Sequence, residues 1–187
     1  MTDTAFGPTA LATPANYITI LRLLVSPVLF VMITDSGPTW AAFALWTVLC
    51  LTDGVDGFLA RRHGTTRSGA FLDPLADKVL VLGALVALVA IGRFALVPVA
   101  VIAAREISIS MYRSYWGRRG RSIPARPGAK VKTVVQQLAV AFALLPVVAD
   151  DPAWVADGLL WVAVALTVVT GVQYVVDGRR VTAGERT

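Results

Sequence analysis

The stretch Asp53–Asp77 reads DGVDGFLARRHGTTRSGAFLDPLAD and lies between long runs of Ala, Val and Leu. Its aspartates, Asp53, Asp56, Asp73 and Asp77, therefore project from the ends of two hydrophobic helices. At the centre of a membrane helix each carboxylate costs about 2.5–3.5 kcal/mol on the insertion scale. A chain that keeps four of them in apolar surroundings needs a compensating interaction, so chemistry is expected in this stretch first.

The spacing of the aspartates predicts a site for divalent cations. Asp53 and Asp56 are three residues apart and share one helix face. Asp73 and Asp77 are four apart and share another, and an antiparallel hairpin would bring the two faces together. Converging carboxylates repel one another unless cations neutralise them, and oxygen ligands without His or Cys favour Mg²⁺, Mn²⁺ or Ca²⁺ over zinc. We therefore expect two cations among these carboxylates.

Small and basic residues beside the aspartates predict a phosphate ligand. Gly57, Gly69 and Ala60 leave room for phosphates or a base to approach the backbone closely. Arg61 supplies a planar fork of donors that suits a phosphate group.

The pattern Asp53-x-x-Asp56-Gly57-x-x-Ala60-Arg61, followed by Gly69-x-x-x-Asp73-x-x-x-Asp77, resembles the signature of the CDP-alcohol phosphatidyltransferases. These are integral membrane enzymes of phospholipid synthesis. The resemblance implies transfer of a phosphatidyl group from CDP-diacylglycerol to an alcohol, with release of CMP. It also implies two Mg²⁺ or Mn²⁺ ions, a homodimer, and Asp77 as the catalytic base that accepts the proton of the acceptor hydroxyl.

Two other interpretations of the aspartates are less favoured. They could pair with basic residues merely to hold a helical bundle, but burying so many charges rarely stabilises a fold. They could mark the path of an ion-coupled membrane transporter. Transport predicts polar groups at mid-membrane on several helices, whereas these carboxylates gather on one hairpin.

The composition predicts an all-α, polytopic membrane protein. Of 187 residues, 56% are hydrophobic and only 16% are charged, which is too apolar for an ordinary soluble domain. Six apolar runs are long enough to cross about 30 Å of hydrocarbon. We expect one membrane domain over residues 1–187, with six transmembrane helices near Tyr17–Thr34, Thr39–Ala60, Gly69–Ile91, Phe94–Tyr115, Lys132–Ala149 and Ala153–Val176.

Basic residues predict the orientation of these helices. Arg and Lys concentrate in the second-to-third loop, the fourth-to-fifth loop and the tail, so these ends belong on the cytoplasmic side. Both termini, with the segments 1–14 and 177–187, and the active site are therefore expected at the cytoplasmic face of the cell membrane. The net charge of +5 is expected to attract anionic membrane lipids and nucleotide rather than nucleic acid.

Polar residues in the first helix extend the predicted lipid site. Asn16, Thr19 and Arg22 recur every three residues and form a stripe that should face the interior of the bundle. A similar pattern opens the first helix in bacterial members of the family that the chain resembles. The alternative interpretation is a helix cap followed by a snorkelling arginine, and it is less favoured. The residues predicted to bind the CDP-lipid are Asn16, Thr19, Arg22, Gly57, Ala60, Arg61, Arg67 and Gly69.

Basic residues further along the chain predict a second anion site. Arg105 and Arg113 interrupt the fourth apolar run, and Lys130 and Lys132 flank the start of the fifth. They suggest an acceptor alcohol with its own phosphate, although the two lysines could simply be membrane anchors. The motifs Ala104-Arg105-Glu106 and Gly128-x-Lys130-x-Lys132-Thr133, with Leu72-Asp73-Pro74-x-Ala76-Asp77-Lys78, resemble the phosphatidylglycerophosphate synthase branch of the family, which implies glycerol 3-phosphate as acceptor. The alternatives are a cardiolipin synthase that uses phosphatidylglycerol, and a phosphatidylinositol phosphate synthase.

Overall fold

The computed structural model describes the backbone of residues 14–63, 67–119, 128–149 and 152–183. Side chains are described for residues 16–52, 72–117, 119, 128, 130–149 and 152–178. Every regular element in these ranges is an α-helix, which confirms the predicted all-α class. The helices are α1 (Pro14–Ser36), α2 (Trp40–His63), α3 (Arg67–Ala90), α4 (Leu96–Arg118), α5 (Gly128–Leu144), α6 (Pro146–Ala149) and α7 (Trp154–Ala183).

Local sequence explains where the helices reverse direction. Gly37 follows α1 with a φ of 67° and Gly92 follows α3 with a φ of 74°, a left-handed conformation that glycine adopts without steric cost. Pro38 comes directly after the first of these glycines and cannot continue a helix. The Thr39 hydroxyl then accepts the backbone N–H of Ala42 at 3.2 Å and caps the start of α2.

The fifth predicted run differs from the structure, because it is divided between two helices. The run was expected over Lys132–Ala149, but α5 begins earlier and ends at Leu144, and a single turn, α6, follows from Pro146. Pro146 has no N–H to donate, and its ring disfavours a helical conformation in the residue before it. The break therefore follows from the proline.

Helix α1 packs closely along α3, and a glycine makes this possible. A Cβ atom at Gly83 would lie 2.2 Å from the end of the Phe30 ring, so only glycine leaves room for that ring. Beyond this contact, towards the ends that carry Gly37 and Gly92, the interior is apolar and includes Ile33 and Leu85. This apolar part of the interior thus packs together the helices that carry the candidate functional residues.

The outside of the bundle is apolar, whereas part of its inside is polar. Asn16, Thr19 and Arg22 on α1 are buried, as the spacing predicts, while Leu24 and Val28 on the same helix are exposed. This inversion is typical of helices that face lipid. Within the described residues, two helical stretches are long and apolar enough to cross a membrane, Asn16–Ser36 and Trp154–Gly178. Length, composition and surface together indicate a membrane protein.

Candidate active site

The second pair of motif aspartates lies against α1. The Thr19 hydroxyl donates to Oδ1 of Asp73 at 2.8 Å, and Nη1 of Arg22 donates to Oδ1 of Asp77 at 2.9 Å. The Ser26 hydroxyl donates to the backbone carbonyl of Arg22 at 2.7 Å, one turn further along α1. We call these contacts across α1 and α3 the aspartate interface. They hold both carboxylates in fixed positions on one face of α3.

The remaining motif residues lie on the last turns of α2 and the first turn of α3, and their side chains are outside the described residues. These are Asp53, Asp56, Gly57, Ala60, Arg61, Arg67 and Gly69. Among the side chains that are described, no group of three or more potential metal ligands occurs. The described half of the donor set still fits a hard divalent cation, because Asp73 and Asp77 present carboxylate oxygens from one helix face.

A cavity of about 790 Å³ opens beside the aspartate interface, between α3, α4, α5 and α7. We call it the cation cavity. Its apolar lining residues include Leu75, Val81 and Met111. Its charged lining residues are Asp77, Lys78, Arg105, Glu106, Arg113, Lys132 and Asp177. Asp77 therefore belongs both to the aspartate motif and to a cavity that is lined by several basic side chains. The Asp77 side chain is 37% exposed.

Arg105 is held in this cavity from two helices. Its Nη1 donates to Oε1 of Glu106 at 2.9 Å, and its Nη2 donates to the Thr170 hydroxyl on α7 at 3.2 Å. The Thr170 hydroxyl in turn donates to the carbonyl of Leu166 at 2.6 Å. A Cβ atom at Gly171 would lie 3.3 Å from Cγ of Arg105, so the glycine provides the space in which the side chain lies. The arginine is therefore positioned rather than free to snorkel.

The other predicted acceptor residues fall into two groups. Arg113 lines the cavity, and so does Lys132, which is buried and donates to Oε1 of Glu106. Lys130 is exposed on α5 and is not among the residues that line the cavity. Burial inside the bundle distinguishes Lys132 from a lysine that only anchors a helix end to the lipid headgroups.

Polar residues of α7 complete the cavity, and they are not among the site residues predicted from the sequence. Thr170, Gln173, Tyr174 and Asp177 line it, whereas Val168, Val169 and Val172 point outwards. The hydroxyl of Tyr174 is buried and has no hydrogen-bond partner among the described residues. Polar side chains at positions 167, 170, 174 and 177, in a helix otherwise rich in Val and Leu, carry helical spacing that could have revealed this face.

Comparison with known proteins shows which family has this arrangement of residues. The family model of the CDP-alcohol phosphatidyltransferases matches residues 12–169. The chain belongs to the CDP-alcohol phosphatidyltransferase family. The resemblance read from the aspartate motif is thereby confirmed, and the protein is a transferase.

Curated members of the CDP-alcohol phosphatidyltransferase family resemble the chain over most of its length. A protein of Mycobacterium tuberculosis strain H37Rv, named probable phosphatidylglycerophosphate synthase, is 37% identical over 96% of this chain and 88% of its own. A protein of Escherichia coli K12, named CDP-diacylglycerol–glycerol-3-phosphate 3-phosphatidyltransferase, is 38% identical over 87% of this chain and 92% of its own. The range matched by the family model contains the aspartate interface and the cavity-lining residues of α3, α4 and α5.

Proposed function

We propose that this protein transfers the phosphatidyl group of CDP-diacylglycerol to sn-glycerol 3-phosphate, giving phosphatidylglycerophosphate and CMP. One observation carries the proposal: Asp77, the last aspartate of the motif, also lines the cation cavity. An acceptor whose phosphate is bound by the basic side chains of the cavity can thus present its hydroxyl to Asp77. The names of the curated relatives agree with this acceptor.

The family implies divalent cations, and the carboxylates of Asp53, Asp56, Asp73 and Asp77 would hold them. When bound, Mg²⁺ or Mn²⁺ neutralises the charge that develops on the pyrophosphate as CMP leaves. The CDP-lipid would also contact three residues of α1, which are Asn16, Thr19 and Arg22. The remaining residues proposed to bind it, which lie outside the described side chains, are Gly57, Ala60, Arg61, Arg67 and Gly69.

The residues of the chain perform the rest of the reaction by position. Asp77 accepts the proton of the acceptor hydroxyl as that oxygen attacks the phosphatidyl phosphorus. The bond from this phosphorus to the oxygen of the CMP phosphate breaks, and CMP leaves in a single displacement. Arg105, Arg113 and Lys132 hold the acceptor phosphate, while the exposed Lys130 contributes positive field at longer range.

A panel of acceptors tests the proposed function. Purified protein in detergent receives CDP-diacylglycerol and Mn²⁺ together with sn-glycerol 3-phosphate, phosphatidylglycerol or inositol phosphate, and CMP release and the lipid product are measured. We expect label from glycerol 3-phosphate to appear in phosphatidylglycerophosphate. Preference for phosphatidylglycerol would instead show a cardiolipin synthase, and preference for inositol phosphate would show a phosphatidylinositol phosphate synthase. CMP release in the presence of EDTA would contradict the metal site.

We further propose that the bundle spans the cell membrane six times, as one domain over residues 1–187 with both termini and the active site at the cytoplasmic face. The apolar surface of the bundle and the basic residues at one set of helix ends support this topology. Cysteines introduced at Ser36 or Asp151, in a Cys50→Ser background, should react with an impermeant reagent on intact cells. A cysteine at Ser122 should not, and its labelling would reverse the orientation.

The proposed assembly is a homodimer surrounded by anionic lipid. The exposed apolar side chains of the bundle offer area for a second copy as well as for lipid. Native mass spectrometry from detergent should show twice the chain mass of 19.9 kDa, and a monomer alone would contradict the dimer.

A further inference from the structure

We propose that Glu106 is a positioning residue for the acceptor phosphate, which it does not itself bind. The inference rests on the proposed function of the cation cavity. Glu106 places a negative charge inside a cavity that is proposed to bind an anion. By Coulomb's law alone, this carboxylate weakens the binding of phosphate.

The contacts of Glu106 show how its carboxylate can nonetheless favour the binding of phosphate. A single oxygen, Oε1, accepts from Nη1 of Arg105 and from Nζ of Lys132. The three side chains are enclosed, with 13%, 14% and 4% of their surfaces exposed for Glu106, Arg105 and Lys132. One carboxylate oxygen therefore fixes where both cations stand.

The carboxylate also joins two helices across the cavity. Arg105 and Glu106 belong to α4, whereas Lys132 belongs to α5, and both helices contribute to the cavity lining. Arg105 and Lys132 donate to the same oxygen of Glu106, so their positive charges lie close together and repel each other. Without Glu106, the mutual repulsion of these cations would drive Lys132 away from its buried position.

The arrangement leaves donors for a ligand. An ammonium group has three N–H donors and a guanidinium has five. Glu106 takes one donor from Lys132 and one from Arg105, and Thr170 takes another from Arg105. A phosphate can therefore bind the lysine while Glu106 still holds it. Positioned cations lose less conformational entropy on binding than free ones, which favours affinity.

Two substitutions of Glu106 separate positioning from charge. Glu106→Gln removes the charge and keeps the shape, whereas Glu106→Asp keeps the charge and withdraws it by one methylene group. Positioning predicts that both raise the KM for sn-glycerol 3-phosphate by at least about tenfold, the loss expected for one charge-assisted hydrogen bond. The KM for CDP-diacylglycerol should stay within about twofold. If Glu106 acted only through its field, Glu106→Gln would lower the acceptor KM and Glu106→Asp would leave it unchanged.

Three measurements keep this test decisive. Calorimetric titration with sn-glycerol 3-phosphate, without CDP-diacylglycerol, must show the same weakening, which makes the effect one of binding. Asp157→Asn, which breaks the Arg93–Asp157 pair near the start of α7, is the matched control and should leave both KM values unchanged. A purely structural role would lower the melting temperature of Glu106→Asp and leave its acceptor KM at the wild-type value, and this outcome would overturn the proposal.

A control with Lys132 identifies the route of the effect. In a Lys132→Met background, Glu106→Gln should change the acceptor KM by less than about threefold, because Lys132 is gone and Arg105 is still held by the Thr170 hydroxyl. A full additive loss would refute action through Lys132. If the wild type uses phosphatidylglycerol instead of glycerol 3-phosphate, the proposed function fails. A rise in the KM for phosphatidylglycerol in both Glu106 variants would then still support positioning.

Discussion

The aspartate interface and the cation cavity neutralise their charges in different ways. At the interface, the charges belong to different helices, and Arg22 of α1 reaches Asp77 of α3 at 2.9 Å. In the cavity, one carboxylate serves two cations, because Glu106 accepts from Arg105 of its own helix and from Lys132 of α5. Asp73 and Asp77 thus each accept from a different donor on α1, whereas the two cavity cations share one carboxylate oxygen and keep N–H donors for a ligand.

The two regions also differ in space, since the aspartate interface is closed and the cation cavity is open. Direct contacts between α1 and α3 leave no space between Thr19 and Asp73, which are 2.8 Å apart. The cation cavity keeps a volume of about 790 Å³, enough for a polar acceptor and part of a lipid. Asp77 borders both regions, so we expect substitutions there to have the largest effect and substitutions on the far wall of the cavity to have smaller ones.

The largest expected effect is that of Asp77→Asn, which alters both regions at once. Loss of a general base lowers turnover by about 10²- to 10⁴-fold, so CMP release should fall by this factor. Asp157→Asn is the control, because it also removes the carboxylate of an Asp–Arg pair, one that lies away from the cavity. Turnover of Asp77→Asn close to the wild-type rate, measured with saturating acceptor, would rule out Asp77 as the base.

Lys132→Met tests the cation cavity alone. Removing a buried cation that is proposed to contact the phosphate should raise the KM for glycerol 3-phosphate by about tenfold or more, with little change in the KM for CDP-diacylglycerol. Lys130→Met is the matched variant, two residues away but exposed. Its effect should be smaller and should disappear at high salt, since it acts at long range. Equal effects of the two variants would show that net charge, and not position, governs acceptor binding.

The aspartate side was more accessible to sequence reasoning than the cavity. The spacing of Asp73 and Asp77 predicts one helix face, and the spacing of Asn16, Thr19 and Arg22 predicts a buried stripe, because both patterns follow from helix geometry. That Arg22 would pair with Asp77, however, depends on how α1 packs against α3. No local pattern contains that information.

The cavity shows the opposite case. The sequence predicts Arg105 and Lys132 as residues that bind the acceptor phosphate, but it does not predict the contribution of α7 to the cavity. Thr170 and Gly171 lie 65 and 66 positions after Arg105, and only the packing of α7 against α4 brings them together. The predicted fifth run also missed the break at Pro146, where proline chemistry prevailed over the apolar pattern.

Gly171→Val tests the α7 wall of the cavity. A Cβ atom at this position would lie 3.3 Å from Cγ and 3.4 Å from Nε of Arg105, and the methyl groups of valine extend further. We expect a displaced Arg105 and an acceptor KM raised about fivefold, which corresponds to about 1 kcal/mol. Gly158→Val on the same helix is the control, because a Cβ atom there meets nothing within 4 Å. The same change in KM for both variants would point to helix propensity and contradict a specific contact.

The smallest expected effect is that of Tyr174→Phe, and it separates binding from stability. The Tyr174 hydroxyl is buried and has no hydrogen-bond partner among the described residues, so removing it costs no hydrogen bond that the structure shows. The melting temperature should stay the same or rise, because a desolvated polar group is lost. If the hydroxyl donates to the acceptor, the KM for glycerol 3-phosphate should rise about threefold, as expected for a neutral hydrogen bond. Tyr112→Phe is the control, since its ring packs edge-on against Tyr174 at 6.2 Å but does not line the cavity. A lower melting temperature with an unchanged KM would show that the hydroxyl stabilises the fold and takes no part in recognising the acceptor.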